Sequence, residues 1–135
     1  MQAKQSGFTL IELVVVIVIL GILSAVALPR FIDLSNDARV ASAKGVAAAV
    51  SSASALNFGA RKVLSTKGPP ISAANVCTTA ILGGIMQGGF PTGYAFTAAA
   101  GDCATANDGD VVTCTIEDSS DTAVTAPVSV VCSKP

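Results

Sequence analysis

Gly7-Phe8-Thr9-Leu10-Ile11-Glu12-Leu13, running on through an apolar stretch to Ala27-Leu28-Pro29-Arg30, decides how the rest of the chain is read. From Phe8 to Leu28 the only polar side chains are Thr9, Glu12 and Ser24. A helix over residues 8–28 is roughly 31 Å long, about the thickness of one bilayer core, so the stretch is predicted to span a membrane. Glu12 is the exception within it. A carboxylate deep in hydrocarbon costs on the order of 2.5 to 3.5 kcal/mol on insertion scales, and less near the interface where this one falls. Such a charge calls for a partner.

The signals around the apolar run stand in an unusual order. Residues 1–7 are polar and carry one cation, Lys4. An ordinary secretory signal is cut after its apolar run, whereas here the small residue suited to processing, Gly7, precedes it. Gly7-Phe8-Thr9-Leu10-Ile11-Glu12 closely resembles the type IV prepilin motif. In that family a dedicated peptidase cuts after the Gly and methylates the new amino terminus, here Phe8. The run from Val14 to Leu23, then Pro29-Arg30-Phe31 and Asp37-Ala38-Arg39, is most similar to the mannose-sensitive haemagglutinin (MSHA) type of pilin, and the match is tight over residues 7 to 56. The resemblance implies an α+β pilin fold, in which a long N-terminal helix, membrane half then amphipathic half, packs on a small C-terminal antiparallel sheet. The chain then divides into a leader at 1–7, a membrane and filament-core helix at 8–28, its amphipathic continuation at 29–66, and a globular β domain at 67–135.

Pro29 removes a backbone donor and crowds the preceding turn, which predicts a kink, and similar pilins continue their helix through a Pro at this place. Beyond it, Phe31, Leu34, Ala38, Ala41, Val46, Ala49, Val50, Ala53 and Leu56 recur at spacings of three and four. They predict one apolar face, rich in Ala, lying flat on the sheet. Gly59 or Gly68-Pro69-Pro70 is expected to end the helix. Residues 71–101 read as a loop, with Ile71 to Leu82 either a short strand or a short helix. Asp110 to Ile116 and Pro127 to Cys132 are Val- and Thr-rich strands, joined by the acidic stretch Glu117 to Ala126. Asn107-Asp108-Gly109-Asp110 reads as a hairpin turn, which implies a further short strand running up from Cys103.

Outside the apolar segment roughly 100 residues remain for a core, and with five Phe, one Tyr and no Trp that core is thin. All four cysteines, Cys77, Cys103, Cys114 and Cys132, fall in the C-terminal part. An even number beyond a membrane segment predicts two disulfides made in an oxidising compartment, each contributing about 2 to 4 kcal/mol. No Cys-x-x-Cys and no His are present, so a zinc site is not expected. Spacing leaves three connectivities open, and a two-residue turn at Asp108-Gly109 would put Cys103 opposite Cys114. The MSHA resemblance implies instead Cys114 with Cys132, leaving Cys77 for Cys103, although that family usually shows only the one pair.

Charge is near balance overall but unevenly spread. Arg30, Arg39, Lys44, Arg61, Lys62 and Lys67 outweigh Asp33 and Asp37, while Asp102, Asp108, Asp110, Glu117, Asp118 and Asp121 stand together without a cation. These are two solvated faces, or patches that meet between neighbouring subunits. Neither suggests nucleic acid. Without His no Ser-His-Asp, Cys-His or metal-water arrangement is available, and no phosphate-cradling Gly loop is present, so no catalytic residue and no cofactor are expected. Asp102, Asp108 and Asp110 invite comparison with a calcium site, as in related pseudopilins, but an Asp-rich turn is more often only a turn, and no metal is expected.

Glu12 remains as a charge seeking a partner. Cleavage after Gly7 frees an amine at Phe8, and the resemblance implies that each arriving subunit's amine meets the Glu12 of its neighbour, setting axial register. The leading expectation is a structural subunit of an MSHA-like type IV pilus for adhesion and biofilm. It would be held first in the inner membrane with its head in the periplasm, processed by prepilin peptidase, and polymerised with its own copies by the pilus assembly machinery into extracellular filaments. A type II secretion pseudopilin is the second reading. An ordinary secreted or membrane-anchored domain, cut at Ala25-Val26-Ala27, is the third.

Overall fold

The computed structural model describes residues 7–97 and 101–135, so the predicted leader, apart from Gly7, lies outside the described residues. The dominant element is helix α1, Leu10–Val63, 54 residues without interruption, and it passes through Pro29. The chain divides into two compact units, Met1–Asp37 and Ala38–Pro135.

In the first unit Leu10–Ala27 is long and apolar enough to cross a membrane, and none of it is buried. Ser24 donates to the carbonyl of Leu20 at 2.7 Å, so the one hydroxyl in mid-segment is satisfied within its own helix, as lipid requires.

The second unit is a small α+β domain in which the helix packs on a three-stranded antiparallel sheet, in the order β1 (Tyr94–Phe96), β2 (Val111–Asp118), β3 (Asp121–Val131). A short helix α2, Thr79–Gly83, is capped by the Thr78 hydroxyl, which accepts from Ile81 N at 3.3 Å. Along β3 the buried residues Val124, Ala126, Val128 and Val130 alternate with outward ones, and Cys114, Ile116 and Asp118 do the same on β2. All of these but Asp118 belong to the core, with Ile71, Val76, Leu82 and, from α1, Ala43, Ala47 and Val50.

The buried face of α1 differs from the predicted one. Val40, Ala43, Ala47, Val50, Ser54, Asn57 and Arg61 form the covered stripe, stepping by three and four residues alternately. Leu34 and Leu56, both expected to be covered, are 64% and 72% exposed, and Ala38, Ala41 and Ala49 are exposed too; of the predicted face only Val46, Val50 and Ala53 are covered or half-covered. The side chain of Phe31 lies outside the described residues. The reason is chemical. β3 is an edge strand, and backbone N–H groups on its outer side need acceptors. Ser51 and Ser54 supply them, accepting from Ser129 N at 3.0 Å and Val131 N at 2.8 Å. Pro127, opposite Thr115, shares the parity of Ser129 and Val131 and has no N–H to satisfy, which suits an edge strand.

Several boundaries also move. Helix α1 runs through Gly59 and ends at Val63, ahead of Gly68, which sits at φ +86°. The acidic stretch Glu117 to Ala126 is mostly strand, with a tight turn at Ser119-Ser120, because β2 and β3 extend towards each other. Asp108-Gly109 forms a turn with Gly109 at φ +93°, but no strand runs up from Cys103. The third strand, β1, comes from the segment read as a loop.

The disulfides are Cys77–Cys114 and Cys103–Cys132, with Cα separations of 5.5 and 5.4 Å, and this overturns both expected pairings. In the β2–β3 register Cys114 faces Val128, which leaves Cys132 roughly 13 Å further along the sheet, beyond disulfide reach. Each bridge instead ties the irregular segment before β2 to a strand or its end. Gly101 lies against the first bridge; a Cβ there would come within 2.9 Å of Cys77 Sγ.

Candidate functional site

The sequence stretch Thr9-Leu10-Ile11-Glu12 folds as a capping box at the start of α1. Thr9 is the N-cap, and its hydroxyl oxygen stands 3.4 Å from Glu12 N. In return Glu12 Oε2 accepts from Thr9 N at 2.8 Å and from Thr9 Oγ at 2.6 Å. The acid therefore also lies where a helix N-terminus favours negative charge. Around it Phe8, Ile11, Val15 and Val16 line an open groove of about 350 Å³. Phe8 is 91% exposed and Gly7 is also exposed, so no described residue covers the bond between them. Gly7, Phe8 and Glu12 thus lie together at one tip of the helix. The role of Thr9 was legible in the Thr-x-x-Glu spacing but was missed beside the stronger motif.

At the other end of the helix the cations act as clamps. Arg61 donates to the carbonyls of Ser65, Gly68 and Lys134 at 2.7, 2.8 and 2.8 Å, which closes the helix end onto the turn and the segment that follows β3. Lys62 pairs with Asp108, and Lys134 Nζ donates to the carbonyls of Cys103 and Ala104. Arg39 reaches Ser120 Oγ at 3.3 Å. The basic helix and the acidic segment therefore meet within one chain.

The aspartates have local partners of their own. Thr105 and the amides of Ala104 and Thr105 lower the Asp102 pKa, as Lys62 and the Lys134 amide do for Asp108. The Ser120 hydroxyl and amide do the same for Asp118. Asp110 accepts from Asn107 N at 2.7 Å. Asp102, Asp108 and Asp110 are turned to separate donors, and among the described residues no group of three or more His, Cys, Asp or Glu is placed to hold a metal.

Comparison with known proteins falls on the same tip. Residues 2–28 match the family described as the prokaryotic N-terminal methylation motif. The chain is 59% identical over 56 residues to the type IV narrow pilus major component PilA5 of Thermus thermophilus, covering 42% of this chain and 47% of that protein. It is 50% identical over 52 residues to the type II secretion system core protein G of Pseudomonas aeruginosa, covering 38% and 37%. With the type IV major pilin protein PilA of Myxococcus xanthus the identity is 34% over 108 residues, covering 80% of this chain and 44% of that protein. The chain spans less than half the length of each of these relatives. No solved structure matches it at a significant level. The chain thus carries the prokaryotic N-terminal methylation motif and is similar, over stretches of 52 to 108 residues, to type IV pilins and to a type II secretion core protein.

Proposed function

We propose that the chain is a structural, non-enzymatic subunit of an MSHA-like type IV pilus. Its precursor sits in the inner membrane with the head in the periplasm, prepilin peptidase cuts it after Gly7, and Phe8 is methylated. The assembly machinery then polymerises it into surface filaments used for adhesion and biofilm formation. The observation that carries this reading is Glu12, a carboxylate on a helix otherwise apolar and unburied from Leu10 to Ala27. An apolar helix with no cover in its own fold is stable in lipid or against copies of itself. Gly21, Ser24 and Ala25 allow such copies to approach closely, and Glu12 answers the amine of a neighbour's Phe8, so axial register is set by a charge pair in an apolar bundle. Glu12→Ala is expected to give a processed, membrane-held subunit that forms few filaments. Normal piliation, with the mature mass still beginning at Phe8, would remove the register argument.

A second reading, a type II secretion pseudopilin, is favoured by the 50% identity to core protein G over the N-terminal region. Filaments sheared from the cell surface separate the two: a pilus subunit is recovered in them, and a periplasmic pseudopilin is not.

A further inference from the structure

We propose that Thr9 is a positioning residue for the assembly step, holding the Glu12 carboxylate ready for the amine of the incoming copy; this rests on the filament reading above. Thr9 directs two donors, its amide and its hydroxyl, at the same oxygen, Glu12 Oε2, at 2.8 and 2.6 Å. Among the described residues no donor reaches Oε1. A glutamate is a rotamer-rich side chain, and a free one would sample many positions over the apolar surface of Phe8, Ile11, Val15 and Val16. Pinned through one oxygen, it keeps the other for a second donor in a defined place, which is preorganisation of the kind that lowers the cost of association. Both Thr9 donors lie on the retained side of the Gly7–Phe8 bond, so maturation leaves them in place and removes only residues 1–7. Thr9 therefore links two roles: it caps the helix, and it keeps the acid partly satisfied in an apolar setting until the partner arrives.

Filament yield per mature subunit in Thr9→Val, Thr9→Ser and Thr9→Asp tests the assignment, with mature mass and membrane retention measured for each. Val keeps the shape and the amide but loses the hydroxyl donor, and a drop of about tenfold is expected, the scale of one charge-assisted hydrogen bond. Ser is expected to restore the wild-type yield. Asp caps a helix well but has no proton to give, so it separates capping from positioning and is expected to assemble as poorly as Val. Wild-type yield from Val or from Asp, or failure of Ser to restore it, overturns the proposal. Absence of the wild-type chain from sheared surface filaments sinks the filament reading itself, normal assembly of Glu12→Ala sinks the register role and that of Thr9 with it, and a defective Glu12→Ala beside a normal Thr9→Val sinks only the role of Thr9.

Discussion

The two halves of helix α1 obey opposite rules of burial. From Leu10 to Ala27 the side chains are mostly Ile, Leu and Val, and none is covered. From Val40 to Arg61 the helix is rich in Ala and Ser, and its covered stripe includes Ser54, Asn57 and Arg61. The most apolar part of the chain thus contributes nothing to the chain's own core, and the polar part makes the seam. On the function proposed above, the first half is matched to lipid or to its own copies. The second is matched to the edge of a strand, where hydrogen-bond acceptors are worth more than methyl groups.

Breaking the head without touching the rod gives the largest effect. Replacing Cys103 and Cys132 together by Ser is expected to lower the stability of the head by about 2 to 5 kcal/mol. The denaturant midpoint reads this, while the protein still partitions into membrane through residues 10–27. Next comes Gly68→Ala, because Gly68 sits at φ +86° and a Cβ there would lie 2.1 Å from Asn57 Oδ1. A loss of about 2 kcal/mol is expected, and a midpoint unchanged from wild type would mean that the turn and the Asn57 seam do not depend on each other.

Ser54→Ala sharpens the comparison at the seam itself. Ser54 is fully buried and accepts from Val131 N, so its loss strands an edge-strand amide beneath the helix and is expected to cost about 1 to 3 kcal/mol in thermal or chemical unfolding. The same exchange at Ser24, whose hydroxyl bonds only within its own helix, is expected to leave the stability of the head unchanged. An equal loss at both positions would erase the distinction drawn between the halves.

The smallest effect is that of pH. Asp102, Asp108 and Asp118 all have pKa values held below the ordinary carboxylate range, by Thr105, Lys62 and Ser120 first in each case. A depressed folded pKa stabilises the fold above the unfolded value of about 3.9 and loses that contribution as pH falls through the folded value. The thermal midpoint of the head is therefore flat between neutral pH and about pH 5 and declines below about pH 4. Asp118→Asn is expected to flatten part of that decline, because the buried Asp118 draws the Ser120 hydroxyl and amide to one oxygen.

Much of this architecture was legible in advance because its signals are local. An unbroken apolar run, one acid four residues after its first member, and a glycine just ahead of it need no tertiary information to be read. The Val- and Thr-rich strands β2 and β3 followed from the same kind of local pattern, and the helix-on-sheet layout from the resemblance to pilins. The face of α1 was read wrongly because apolar residues were sought where Ser54 and Asn57 lie. Strand β1 was missed because Tyr94–Phe96 is too short to show a period.

The rod, its charged tip and the existence of a small cross-linked head can be read from neighbouring residues, through hydropathy, a short motif and the cysteine count. Which helix face is covered and which cysteines pair emerges only when distant segments come together. The first depends on the outer edge of β3, whose Ser129 and Val131 amides meet Ser51 and Ser54, and the second on the register of β2 against β3, which puts Val128, and not Cys132, opposite Cys114.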